Sequence, residues 1–182
     1  MEPEPKPSEV EHIKSIPWCA AHLTAADLVV EPATTRTRRP NTTMDIFISA
    51  TVNTPDTIKA WVTAHRPSTR ADELRAFVTL GTQLDGYAGV CHGGVVAVIF
   101  DETLGMLSMA NAPRGLAHGG YMTAYLNTTF KGPVRTPGTY MLVVEVARRQ
   151  GRKLFMTARW EDERGAELAR AEALFVAMTS KI

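Results

Sequence analysis

The sequence predicts an α+β domain in which one long helix packs against an antiparallel sheet. Three observations carry that expectation. Val95-Val96-Ala97-Val98-Ile99-Phe100, resumed by Leu104, Met106 and Leu107, is a long apolar stretch that opens at Gly93-Gly94 and reads as a helix to about Met109. Strand-like runs lie on both sides of it, bounded by glycine or proline. Gln150-Gly151 and Glu163-Arg164-Gly165 then supply hairpin turns between the last of those runs.

Taken in order, residues 1–8 are proline-rich and charged, a composition that favours disorder. Residues 8–30 read as one or two short helices, because Ser8 precedes Glu11 with capping-box spacing and Ile13 and Ile16 share a face. Residues 31–43 hold turn formers without periodicity and read as a loop. Three arginines there could meet a phosphate, but a solvated loop is the simpler reading. The division that follows is an N-terminal extension, 1–55, and a main domain, 56–182. Within the latter, Ile58, Ala60, Val62 and Ala64 alternate with Lys59, Trp61, Thr63 and His65, as in a half-buried strand. A second strand spans 74–80 and ends at Gly81, and Asp85-Gly86-Tyr87-Ala88-Gly89 is turn chemistry. After the helix, strands are predicted at 121–130, 139–148, 153–160 and 167–178. The last is contested. Its Ala166 to Leu174 stretch is made of good helix formers, yet Ala169, Ala171, Ala173, Phe175 and Ala177 fall on one strand face. A row of alanines there lets a helix lie close to the sheet, so strand is the choice.

Composition excludes several classes. The chain of 182 residues is 45% apolar and 21% charged, ordinary for a soluble domain. Twenty basic against nineteen acidic residues leave a net charge of +1, which gives no bulk attraction to nucleic acid or an anionic membrane. The first residues are too polar for a signal peptide. The longest apolar run, 95–100, falls far short of the roughly 20 residues a membrane span needs. With only Cys19 and Cys91, a disulfide framework is not expected, and a reducing, cytoplasmic setting is. No His-Glu-x-x-His, Cys-x-x-Cys, P-loop or Gly-x-Ser-x-Gly occurs, which removes zinc, nucleotide and serine-hydrolase readings. No metal or separate cofactor is expected.

Chemistry concentrates on the helix. Asp101 and Glu102 interrupt an element that is apolar on every side, and such an element is expected to be buried. An ionised carboxylate there costs several kcal/mol unless paired or hydrated. An active site is one explanation, and a helix that emerges into solvent at this point is the other. Gly93 and Gly94 let a ligand or backbone approach the unpaired N–H groups of the first turn, where an oxygen gaining negative charge is favoured.

Gly89-Val90-Cys91-His92-Gly93-Gly94, with Asp101-Glu102 nine and ten residues after the histidine, resembles the hot-dog-fold thioesterase superfamily, closest to its phenylacetate-pathway type. Thr123-Ala124-Tyr125-Leu126-Asn127 with Pro133-Val134, the basic hairpin Arg149-Gln150-Gly151-Arg152-Lys153, and Ala171-Glu172-Ala173-Leu174-Phe175-Val176 match further family segments in order. Asp56-Thr57-Ile58-Lys59-Ala60-Trp61 is similar to fungal stand-alone members, some serving secondary metabolism. The resemblance spans about residues 56–182. It implies a sheet wrapped around the central helix, paired subunits (a homodimer or a dimer of dimers), and an acyl-CoA or acyl-carrier thioester substrate bound between them. It implies that Asp101 activates water or attacks the thioester. Thr123 from the other subunit would orient that group, and the helix N-terminus at Gly94 would polarise the carbonyl. Coenzyme A enters only as part of the substrate.

Each candidate also has a bland reading. Asp101 is otherwise an exposed helix acid, and Thr123 an ordinary strand threonine. Glu102, roughly 100° around the helix from Asp101, more often makes a structural contact. His92 is tempting as a general base, histidine being the usual proton carrier, but in this motif is expected to fix the turn rather than move a proton. Gly93, Tyr87, Arg149, Arg152 and Lys153 complete the substrate-binding candidates; the basic residues, with Arg148, form by default a solvated hairpin. Cys91 beside His92 is not a convincing nucleophile pair, and His118-Gly119-Gly120 is read as loop. Two departures from the family stand out. The turn Gly86-Tyr87-Ala88-Gly89 lacks the small polar residue many relatives carry, and the stretch 110–120 is long. Both leave room for a non-hydrolytic reaction, such as dehydration, cyclisation or isomerisation, or for a non-catalytic acyl-ligand binder.

Overall fold

The computed structural model describes residues 8–69, 72–111 and 120–178. Most of the long stretch 110–120, His118 included, falls outside them, as does nearly all of the proline-rich tip. Two short helices, α1 (Glu9–Lys14) and α2 (Pro17–Ala21), precede strand β1 (Val29–Pro32). Then come β2 (Ile58–His65), β3 (Glu73–Leu80), the short pair β4 (Asp85–Tyr87) and β5 (Val90–Cys91), and the long helix α3 (Gly93–Ala110). Strands β6 (Tyr121–Phe130), β7 (Gly138–Gln150), β8 (Lys153–Glu161) and β9 (Glu167–Ala177) follow. The large strands form one seven-stranded sheet in the order β1-β2-β3-β7-β8-β9-β6, antiparallel throughout. This order puts β1 and β6 at opposite edges.

The sheet wraps α3. Val96, Ile99, Phe100, Leu104 and Leu107 of α3 bury against Trp61, Leu74, Val78, Leu142, Met156 and Trp160 from the strands. Phe100 meets Trp160 edge-on at 5.7 Å between ring centroids, a favoured aromatic geometry. By length and apolar composition alone α3 could cross a membrane; here its buried stripe recurs every three or four residues and is covered by the sheet. The last strand resolves in favour of alternation: Ala169, Ala171, Ala173 and Phe175 are all buried against the α3 side.

The expectation of a half-buried β2 is corrected. Trp61 faces α3 while Ala60, Val62 and Ala64 face outward, and both sides are covered. The outer cover is the N-terminal extension: Ile13 of α1 and Cys19 of α2 pack with Ala60, Val62, Phe77, Met141 and Val143. Ser8 and Glu11 do form the capping box that starts α1.

Reading 31–43 wholly as a solvated loop is also corrected. Residues 29–32 add strand β1 to the sheet edge, and Arg36, only 5% exposed, is buried. Its Nε donates to both Glu9 carboxylate oxygens at 3.1 and 3.2 Å, and its Nη2 donates to the Ile58 carbonyl at 2.9 Å. Glu9 in turn accepts from the Trp61 backbone N–H at 2.7 Å. This buried pair ties α1, the 3₁₀ turn Thr34–Arg36 and β2 together, and Arg38 and Arg39 remain exposed.

Candidate active site

The approach to α3 is built by short, well-anchored segments. Asp85 holds the turn: its Oδ2 accepts from the Gly89 N–H at 2.8 Å and its Oδ1 from the Thr136 hydroxyl. Backbone bonds from Cys91 N–H to the Val134 carbonyl and from His92 N–H to the Leu84 carbonyl, both 2.8 Å, then aim the chain into the helix. The Pro133-Val134 match of the resemblance thus acts as a clamp on the helix entry. Close approach explains two glycines. A Cβ on Gly86 would sit 3.0 Å from the His92 backbone, and one on Gly93 would sit 3.3 Å from the Phe130 ring.

His92 is the N-cap of α3, and its Nδ1 accepts from the Gly94 N–H at 3.0 Å. That is the turn-fixing role expected of it. It also changes the expectation for Gly94. The amide proposed to polarise a thioester carbonyl is already engaged, so a substrate oxygen has to displace the imidazole or use the neighbouring Gly93 N–H, which has no intrahelical acceptor. Accepting at Nδ1 requires the neutral ring with its proton on Nε2.

Asp101 lies two turns further on. Seven residues separate it from Gly94, roughly 700° of helix, so the two share a face about 10 Å apart along the axis, and side chains lean toward the N-terminus. The Thr123 hydroxyl of β6 donates to Asp101 Oδ1 at 2.8 Å. The bond lies within one chain, whereas the resemblance assigned Thr123 to the other subunit. A bulge between Thr123 and Tyr125 breaks the register with β9 at this point, and bulges re-aim side chains in this way. Asp101 is half-buried rather than sealed in an apolar shell. Around it β6 is an exposed edge, with Met122 56%, Tyr125 40% and Phe130 53% exposed.

Glu102 behaves differently. Burial pushes its carboxyl above the usual range, the nearby carboxylates of Asp45 and Asp101 push the same way, and the Thr35 hydroxyl opposes them. Glu102 thus faces the extension rather than β6.

The remaining candidates are not gathered at Asp101 within one chain. Tyr87 is 84% exposed on the turn before α3. Arg149 pairs with Asp72 at 2.7 Å and bonds the Asn111 amide oxygen at 2.9 Å, which places the basic hairpin beside the C-terminal end of α3. Arg152 donates to the Ala177 carbonyl at 3.1 Å, and Lys153 is exposed. Arg148 stacks over the Phe155 ring at 3.9 Å. Cys91 is buried and its thiol is pushed up to about 12, chiefly by desolvation, so it is no nucleophile. Among the described residues no cluster of His, Cys, Asp and Glu could hold a metal.

An antiparallel sheet wrapped around one long helix is the hot-dog architecture. The family model of the thioesterase superfamily matches residues 88–169, the segment from the Gly89 turn through α3 to β9. The acyl-coenzyme A thioesterase THEM4 of Rattus norvegicus is 34% identical over 98 residues, covering 53% of this chain and 39% of that protein. The chain thus spans about two fifths of that curated relative's length. A hypothetical thioesterase from Streptococcus pneumoniae, solved with coenzyme A, superposes with a TM-score of 0.57 at 10% identity, over 71% of this chain and 94% of that one. A phenylacetic acid degradation-related protein from Ralstonia eutropha gives 0.53 at 21% identity, over 58% and 76%. The fold is the hot-dog fold, and residues 88–169 match the family model of the thioesterase superfamily.

Proposed function

We propose that this chain hydrolyses acyl-CoA or acyl-carrier thioesters, with Asp101 as the general base or nucleophile. The observation that carries the reading is the Thr123–Asp101 hydrogen bond, set on the same helix face as the glycine-opened N-terminus. Thr123 occupies Oδ1, which leaves Oδ2 to take a proton from water or to attack the carbonyl carbon. The thioester oxygen is held at the start of α3, where amides and the helix dipole offset its growing charge. The thiol leaves as the C–S bond breaks, and a proton returns to it. The matches to named acyl-CoA thioesterases support this substrate class.

In this reading a second copy completes the site against β6, which carries the exposed Met122 and Tyr125 flanking Thr123 and the exposed Phe130 near the start of α3. The basic hairpin of one copy or the other then supplies the phosphate contacts. The buried, unpaired thiols of Cys19 and Cys91 suit a reducing compartment such as the cytoplasm.

Free-thiol release across a panel of acyl-CoAs tests the proposal. The wild type turns over at least one of them, and Asp101→Asn lowers kcat by at least ~100-fold. Full activity in that variant contradicts the assignment. A second reading, a non-hydrolytic step in secondary metabolism or acyl-ligand binding alone, is favoured by the His92 cap that occupies the Gly94 amide. Tight CoA-ester binding without thiol release selects it.

A further inference from the structure

A cavity of about 400 Å³ lies on the other flank of α3, and the thioester reading makes no use of it. It sits at the β1–β2 edge, while Asp101 and Thr123 sit by β6, the opposite edge of the sheet. Helix geometry agrees, because Ala110, which lines it, is nine residues from Asp101 and so roughly 180° around α3.

Its walls divide by chemistry. Leu74, Met106 and Leu107 make an apolar floor. Thr63 and His65 come from alternate positions of β2 and face the helix with only 3% and 5% exposure. Glu31, the cross-strand partner of Thr63, adds a carboxylate. Among the described residues no lysine or arginine lines the space. The volume falls within the range of small-molecule sites, roughly 300–1,000 Å³, and an apolar pocket with a few convergent polar groups is their usual form.

We propose that this cavity binds a small amphipathic amine, its ammonium against Glu31 with Thr63 and His65 beside it, and its hydrocarbon body on Leu74, Met106 and Leu107. The wall chemistry disfavours anions: among the described residues a carboxylate or phosphate head would meet the Glu31 carboxylate with only the His65 imidazole, and no lysine or arginine, to offset it. This site is separate from the thioester centre and does not depend on the proposed activity.

The test uses the full chain with methyl-labelled methionines, titrated with n-hexylamine and, in parallel, hexanoate. Met106 and Met109 line the cavity, and Met122 on β6 reports the other flank. Hexylamine shifts the Met106 and Met109 signals saturably and leaves Met122 unchanged, and hexanoate does not bind. Glu31→Gln weakens hexylamine about tenfold or more, as loss of a charge-assisted hydrogen bond requires, while thiol release stays as in the wild type. Asp101→Asn leaves hexylamine affinity intact. The absence of saturable shifts, equal binding of hexanoate, a response centred on Met122, or unchanged affinity in Glu31→Gln would each overturn the proposal.

Discussion

The two flanks of α3 make a controlled comparison, because adjacent carboxylates on one helix meet opposite surroundings. On the β6 flank Asp101 is half-buried, hydrogen-bonded to Thr123, and open to whatever meets an exposed edge strand. On the other flank Glu102 is desolvated and crowded by like charge, under a cover supplied by the N-terminal extension. A step of about 100° around the helix separates these fates. Local sequence does not decide which acid is available for chemistry; the strand or segment packed opposite does.

The largest expected effect probes the covered flank. Arg36→Met leaves Glu9 without its cation and holding only the Trp61 N–H, and loss of the buried partner from this partly exposed pair costs about 3 kcal/mol, the low end for buried pairs. Urea unfolding of the variant reads that loss as a lower midpoint with an unchanged slope. An unaltered midpoint would show that the extension contributes little to the fold.

On the open flank, Thr123→Val removes the hydroxyl that holds Asp101. A hydrogen bond to a charged group is worth roughly 1.5–3 kcal/mol, so kcat for thioester hydrolysis falls about 10- to 100-fold. Thr123→Ser restores most of it. Equal rates for valine and serine variants would break the link between the pair and turnover.

Glu102→Gln sharpens the contrast through pH. The folded-state carboxyl is raised above its unfolded value of 4.5, so the folded protein holds this proton longer than the unfolded chain. Its contribution to stability is therefore full at acid pH and is lost as pH rises from about 4.5 through the folded value. The glutamine variant lacks that loss. Its melting temperature exceeds the wild type at pH 7, and the gap closes toward pH 4; a constant gap across that range would contradict the desolvation argument.

The smallest effect belongs to His92→Ala. Loss of the cap costs about 1 kcal/mol of stability, while the freed Gly94 amide becomes available to a substrate oxygen. KM and kcat measured together separate the two consequences, since a purely structural role leaves both unchanged at a temperature where the protein is folded.

Much of this was legible in the residues. The glycine- and proline-bounded strand runs, the glycine-opened helix and the Ser8–Glu11 capping box are local signals, and each is present in the fold. Elements that depend on distant partners were not. Strand β1 is four residues long and ends in Pro32, too short for periodicity. Arg36 is buried only because Glu9, 27 positions earlier, folds back to meet it. Thr63 and His65 look solvent-facing by polarity, yet they face α3, since the extension closes the other side of β2. The Asp101–Thr123 contact joins residues 22 apart across a bulge, and resemblance rather than pattern pointed to it.

The most direct test of the central claim compares the neighbouring acids under one assay. Thiol release from the best acyl-CoA is measured for Asp101→Asn and Glu102→Gln side by side. The account predicts a loss in kcat of at least ~100-fold for the first and a change within about twofold for the second. Equal losses, or the larger loss at Glu102, would contradict it.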